Sequence, residues 1–256
     1  MKDLKTAIIK FVTVAACSAL WCGGVQTLLL AGPAGTNTPA GEGYLADLTA
    51  LLSSDWPTNR TVNIVCHGHS VPAGYFKTPA VETFNAYPHL LHRGLKERFP
   101  NAVINVIVTA IGGENSEEGA KRFDSDVLSL KPDVVTLDYA LNDRGIGLER
   151  AEKAWRVMIE KCRTRHIPVI LLTPTLDLTA KLDDPQDPLN LHAVLIHRLA
   201  EDYHIGIADS LERFQQSIRN GVRPADLMSQ GNHPNREGHA LVATELLKWF
   251  MSHHVP

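Results

Sequence analysis

Five short runs rich in β-branched and aliphatic residues punctuate the chain, at Thr61 to Cys66, Val103 to Thr109, Asp133 to Asp138, Pro168 to Thr173 and Ile205 to Ala208. This is the composition of buried parallel strands. Between them the apolar spacing changes to three and four. Pro88 stands just inside a helix start and is followed by Leu91, Leu95 and Phe99. Ala120, Phe123, Val127 and Leu130 share a helical face, as do Leu148, Ala151, Trp155, Ile159 and Cys162. A last helix from about Arg236 to Met251 places Ala243, Leu247 and Phe250 along one side. Right-handed crossovers put helices on both faces of such a sheet. The pattern therefore predicts a three-layer α/β/α sandwich around a five-stranded parallel sheet, from about residue 60 to the end.

The first forty residues read differently. Lys2, Lys5 and Lys10 precede an uncharged stretch from Phe11 to Gly41, whose first part, FVTVAACSALWCGGVQTLLLAG, is strongly apolar. This predicts an export leader. Small residues at Gly32 to Ala34 and Thr38 to Ala40 offer cleavage sites, and Val14-Ala15-Ala16-Cys17 resembles a lipobox before a lipidated cysteine. An uncleaved anchor is the third reading, since about 20 apolar residues span a bilayer. All three place the remaining chain outside the cytoplasm, secreted or periplasmic, with membrane association only through that anchor or lipid. The expected organisation is a signal peptide or lipoprotein leader over 1–40, an extension over 41–60 and one domain over 61–256.

Composition narrows the function classes. With 44% hydrophobic and 21% charged residues among 256, the chain is neither disordered nor collagen-like. Twenty-five basic against 28 acidic residues, with no block of like charge, leave no electrostatic footprint for nucleic acid. Cys66 and Cys162 lie on apolar positions and read as buried free thiols. Twelve histidines raise the question of metal. His89/His92 and His192/His197 lack a third partner at ligand spacing, so solvated or core histidines are the expectation.

In parallel sheets, function collects at the carboxyl ends of the strands. The first strand runs into Cys66-His67-Gly68-His69-Ser70-Val71-Pro72-Ala73-Gly74, a glycine- and proline-rich turn that presents a hydroxyl. The second ends in Gly112-Gly113-Glu114-Asn115, the third in Leu141-Asn142-Asp143, and a loop before the last helix carries Asn232-His233-Pro234. A serine hydroxyl is a weak nucleophile unless a base takes its proton, and a histidine in a rigid loop is the usual base near neutral pH. A glycine N–H and an asparagine amide are donors for an oxyanion. Taken singly, Ser70 is turn chemistry, Gly112-Gly113 a tight turn, Asn142-Asp143 a helix cap and His233-Pro234 a helix start. Together they supply every role of an acyl-transfer site.

The order Ser, Gly, Asn, His, each in its own loop, resembles the SGNH hydrolases, also called GDSL esterases and lipases. Their Gly-Asp-Ser block reads here as Gly68-His69-Ser70, their second-block glycine as Gly113, Gly-x-Asn-Asp as Ala140-Leu141-Asn142-Asp143, and Asp-x-x-His-Pro as Gln230-Gly231-Asn232-His233-Pro234. The likeness spans about Thr61 to Met251. It implies a flavodoxin-like SGNH fold, with Ser70 as nucleophile, His233 as base, and Ser70, Gly113 and Asn142 as the oxyanion hole. His69 replaces an aspartate that is mainly structural. Gln230 replaces the acid that would orient the histidine, so either Gln230 or a backbone carbonyl holds the imidazole, or an acid such as Asp226 does so from elsewhere.

The expectation is a serine esterase acting on small acyl esters, acetyl above all, on carbohydrate, with no metal or organic cofactor. The alternatives are a lipase or lysophospholipase of the same family, a non-catalytic glycan-binding relative, and an acyltransferase. Arg144 is a candidate substrate contact. The loops from Tyr75 to Tyr87 and Leu176 to Pro188 are expected to shape substrate choice.

Overall fold

Burial along the strands alternates between two apolar clusters, one on each face of a sheet. In this computed structural model, which describes residues 39–41 and 43–251, the strands are β1 (Thr61–Gly68), β2 (Val103–Val108), β3 (Val134–Asp138), β4 (Val169–Leu172) and β5 (Gly206–Ala208). All pair in parallel, in the order β2-β1-β3-β4-β5. Ile64, Cys66, Val134, Ile170 and Leu172 point into one layer, and Val65, Val135, Leu137, Val169 and Leu171 into the other. The first layer is closed by α1 (Ala46–Leu52), α3 (Tyr87–Arg98), α9 (Ser210–Arg219) and α10 (Arg236–Lys248). The second is closed by α5 (Phe123–Asp126), α7 (Leu148–Arg163) and much of α8 (Pro188–Tyr203). Short helices α2 (Ser70–Ala73), α4 (Ser116–Lys121) and α6 (Ala140–Asp143) follow the first three strands. Before α10 comes a two-stranded antiparallel ribbon, β6 (Met228–Gln230) with β7 (His233–Pro234).

Two readings of the sequence change. The face Ala120, Phe123, Val127 and Leu130 does not belong to one helix: α4 ends at Lys121, α5 restarts at Phe123, and Leu128–Leu130 form a 3-10 turn. Arg122 stands at the break with φ −100 and turns its guanidinium to Glu114 and Asp126. Inward spacing survives, with Phe123 and Val127 fully buried. Residues 41–60, read as an extension, contribute α1, whose Leu48 and Leu52, with the preceding Leu45, enter the same core as β1 and α3. Cys66 and Cys162 are buried and free, and burial pushes both thiols up to about 12.

The expected leader lies outside the described residues up to residue 38. Among the described residues, no helix is long and apolar enough to cross a membrane. The strand order reverses beside β1, whose neighbours β2 and β3 are reached by crossovers in opposite directions. That is where an open parallel sheet leaves a crevice beyond its carboxyl edge.

Candidate active site

Four loops meet at this crevice. Gly68 ends β1 because a side chain there would collide: a Cβ would lie 2.5 Å from the Asp138 carbonyl oxygen and 2.7 Å from Pro72 Cγ. His69 then leaves the strand and caps α2, its Nδ1 accepting from the Val71 N–H at 3.1 Å. That bond leaves a neutral ring's proton on Nε2, which faces Asp138 Oδ1 at 3.3 Å in a fully buried contact. Histidine thus performs the capping a short acidic side chain would otherwise supply. Ser70 opens α2, and Gly74 closes it in the left-handed conformation at φ 89.

The second loop is a tight turn from Ile111 to Glu114, with Gly113 at φ 82, a conformation that favours glycine. Its geometry is fixed from behind. Glu114 is buried, paired through both oxygens with Arg122, and accepts from the Tyr139 hydroxyl at 2.9 Å. Asn142, on α6, donates one amide hydrogen to the Glu114 carbonyl at 2.9 Å. Its second hydrogen stays available for an oxyanion. Asp143 ties the two loops together, accepting from the Ser116 N–H at 2.8 Å and from Trp155 Nε1 at 2.6 Å. Burial raises its carboxyl pKa, and these donors pull it back.

His233 comes from the ribbon. Its Nε2 lies 3.0 Å from Ser70 Oγ, and both residues are 6% exposed. A hydroxyl in contact with an imidazole can pass its proton to the ring as it attacks. Burial pulls the His233 pKa below its ordinary value; the Phe76 carbonyl works against this and the nearby His69 ring adds to it. Among the described residues, nothing makes a hydrogen bond of ordinary geometry to the buried Nδ1. Of the orienters expected from sequence, neither Gln230 nor Asp226 bonds to it, and a backbone carbonyl, that of Phe76, faces the ring. Gln230 accepts instead from the Thr78 N–H at 2.9 Å, and Asp226 pairs with Arg223 on the surface. Ser229, beside Gln230, contacts the Phe76 and His233 carbonyls, each at 3.0 Å. Two neighbouring residues of β6 therefore fasten the segment that faces the histidine. The sequence offered a backbone carbonyl without naming Phe76 as its source and gave no sign of Ser229, the Asp-to-Gln change being its one signal.

The remaining polar residues have other work. Arg144 binds Asp177 at 2.6 Å, and Leu178 N–H donates to the Gly231 carbonyl at 2.8 Å, docking the 174–187 loop onto the histidine ribbon. His239 supports the start of α3 by accepting from the Tyr87 N–H, and burial with the neighbouring His233 lowers its pKa to about 3. His192 bonds the Pro188 carbonyl and His197 pairs with Asp209. Among the described residues, no cluster of histidine, cysteine or acidic side chains could hold a metal ion.

Comparisons with known proteins bear on the family and the fold. The model of the GDSL-like Lipase/Acylhydrolase family matches residues 66–241. An acetylxylan esterase from Geobacillus stearothermophilus is 22% identical over 166 residues, 60% of this chain and 75% of that protein. The crystal structure of an acetylxylan esterase from the same organism superposes with TM-score 0.65 at 20% identity, covering 74% of this chain and 94% of that one. A two-domain esterase active on acetylated mannans gives 0.68 at 20% identity, covering 84% and 54%. These structures share the fold. On the extent of the family match, the chain belongs to the GDSL-like lipase/acylhydrolases and is a carboxylic ester hydrolase.

Proposed function

We propose that this protein is an exported serine esterase that removes acetyl groups from acylated carbohydrate through an acyl-Ser70 intermediate. The observation that carries the reading is the 3.0 Å contact between Ser70 Oγ and His233 Nε2 at the switch point of the sheet. His233 takes the hydroxyl proton as Oγ attacks the acetyl carbon. The tetrahedral oxyanion is held by the N–H groups of Gly113 and Ser70 and the free amide hydrogen of Asn142. Collapse breaks the ester C–O bond, and His233 returns the proton to the leaving sugar oxygen. Water, deprotonated by the same ring, then releases acetate and restores Ser70. No metal or organic cofactor is needed for these steps.

With Gln230 and Asp226 engaged elsewhere, the reading is a Ser-His dyad whose imidazole faces the Phe76 carbonyl. The carbohydrate part rests on the relatives, one described as an acetylxylan esterase and another as active on acetylated mannans. The test is acetate release from acetylated xylo- and manno-oligosaccharides by the full chain and by Ser70→Ala. Loss of a catalytic nucleophile predicts a fall of about a thousandfold or more. That no carboxylate among the described residues bonds to His233 favours the glycan-binding reading as the second. That reading predicts sugar binding without turnover, unchanged by Ser70→Ala.

A further inference from the structure

One aromatic ring beside the reacting groups has no part in the chemistry described. Tyr75 follows the left-handed Gly74, and its amide donates to the Ser70 carbonyl at 3.0 Å, which fixes its backbone relative to the hydroxyl. Its ring centre lies 5.9 Å from that of His233, with the planes tilted by 39°. The phenol end rests on Gly112: a Cβ at that position would fall 2.8 Å from Tyr75 Cζ and 2.9 Å from Cε2 and Oη. The ring therefore bridges the histidine and the turn that carries Gly113.

The backbone behind it is braced. Tyr75 pairs with Val81, Phe76 N–H donates to the Ala80 carbonyl, and Glu82 N–H donates to the Gly74 carbonyl. Gln230 and Ser229 fasten this hairpin to the histidine ribbon at Thr78 and Phe76. A ring held at both ends and on a fixed backbone cannot swing aside for a longer chain without breaking these contacts. Ser70 and His233 are themselves each only 6% exposed.

We propose that Tyr75 is a specificity-determining residue: its ring walls one side of the space between His233 and the Gly112-Gly113 turn, admitting acetyl and excluding longer acyl groups. The inference rests on the acetyl-esterase reading and gives it a structural cause. It also assigns a task to Gln230, which stands in the acid's place and braces the wall.

The test is kcat/KM of the full chain on p-nitrophenyl acetate, butyrate and octanoate. Wild type is expected to fall steeply from acetate to butyrate. Tyr75→Ala should raise the butyrate-to-acetate ratio by about tenfold or more, the scale on which a methylene is discriminated in an apolar site. Tyr75→Phe keeps the ring and should keep the wild-type ratio. Tyr75→Val serves as a second truncation, and thermal melts of each variant check folding. An acetyl-preferring wild type whose ratio is unchanged in both truncations overturns the Tyr75 assignment and leaves the esterase reading standing. Equal slowing of all three esters likewise overturns it in favour of a structural role. A wild type faster on octanoate than on acetate overturns the reading and the assignment together.

Discussion

Gly119→Ala sets two physical effects against each other. Gly119 lies inside α4, where alanine is favoured over glycine by about 1 kcal/mol of helix propensity. A Cβ there would sit 2.2 Å from the Tyr139 hydroxyl oxygen and 2.4 Å from Cζ, distances no packing tolerates. Tyr139 is fully buried, so its ring cannot swing out into solvent without unpacking its neighbours. Overpacking costs about 1–3 kcal/mol, and losing the Tyr139 bond to the Glu114 carboxylate adds about 1.5–3 kcal/mol. Set against the propensity gain, the net is a destabilisation of about 1.5–5 kcal/mol. For a domain of this size that lowers Tm by roughly 3–20 °C. Glu114 also holds the Asn142 amide through its carbonyl, so kcat on p-nitrophenyl acetate should fall with KM little changed. Urea titration and thermal melts at pH 7 measure the first effect. A variant as stable as wild type, or more stable, would refute the packing argument.

Three further outcomes follow from the histidines. Burial holds His67 at about 4 and His239 at about 3 in the native state, whereas both take up a proton near 6.5 once unfolded. The unfolded chain then binds more protons below 6.5, so stability is full above that pH and falls as pH drops toward 4, by about 1.4 kcal/mol per pH unit for each histidine; equal urea midpoints at pH 7 and pH 5 would contradict this. His233 is also lowered, so the acid limb of kcat/KM should lie below pH 6.5. Gln230→Asp, by placing a carboxylate near the ring, should move that limb upward by about one unit, and an unmoved limb would show that residue 230 does not reach the ring.

Much of the fold was legible because buried parallel strands carry their own composition: all five runs became strands, differing only at their ends. The helices around Ala120 were less so, because their inward spacing is kept across a break that only Arg122 and its partners explain. Helix α1 went unread since seven residues are too few to show a helical period, and its leucines gain meaning only in the core they share with β1 and α3. At the site, Ser70 and His233 were legible as motif residues and meet in space. The support behind them was not. The bonds from Ser229 and Gln230 to Phe76 and Thr78 join segments some 150 residues apart in the chain and involve backbone atoms, which no side-chain motif records. The same holds for Tyr75, whose role depends on the bare surface of Gly112.

The central claim is that Ser70 is the nucleophile made reactive by His233. A serine-directed fluorophosphonate, followed by intact mass and peptide mapping, tests it directly. A single adduct on Ser70 is expected, absent in Ser70→Ala and strongly slowed in His233→Ala. An adduct on another serine, or ester turnover with Ser70 unlabelled, would contradict it.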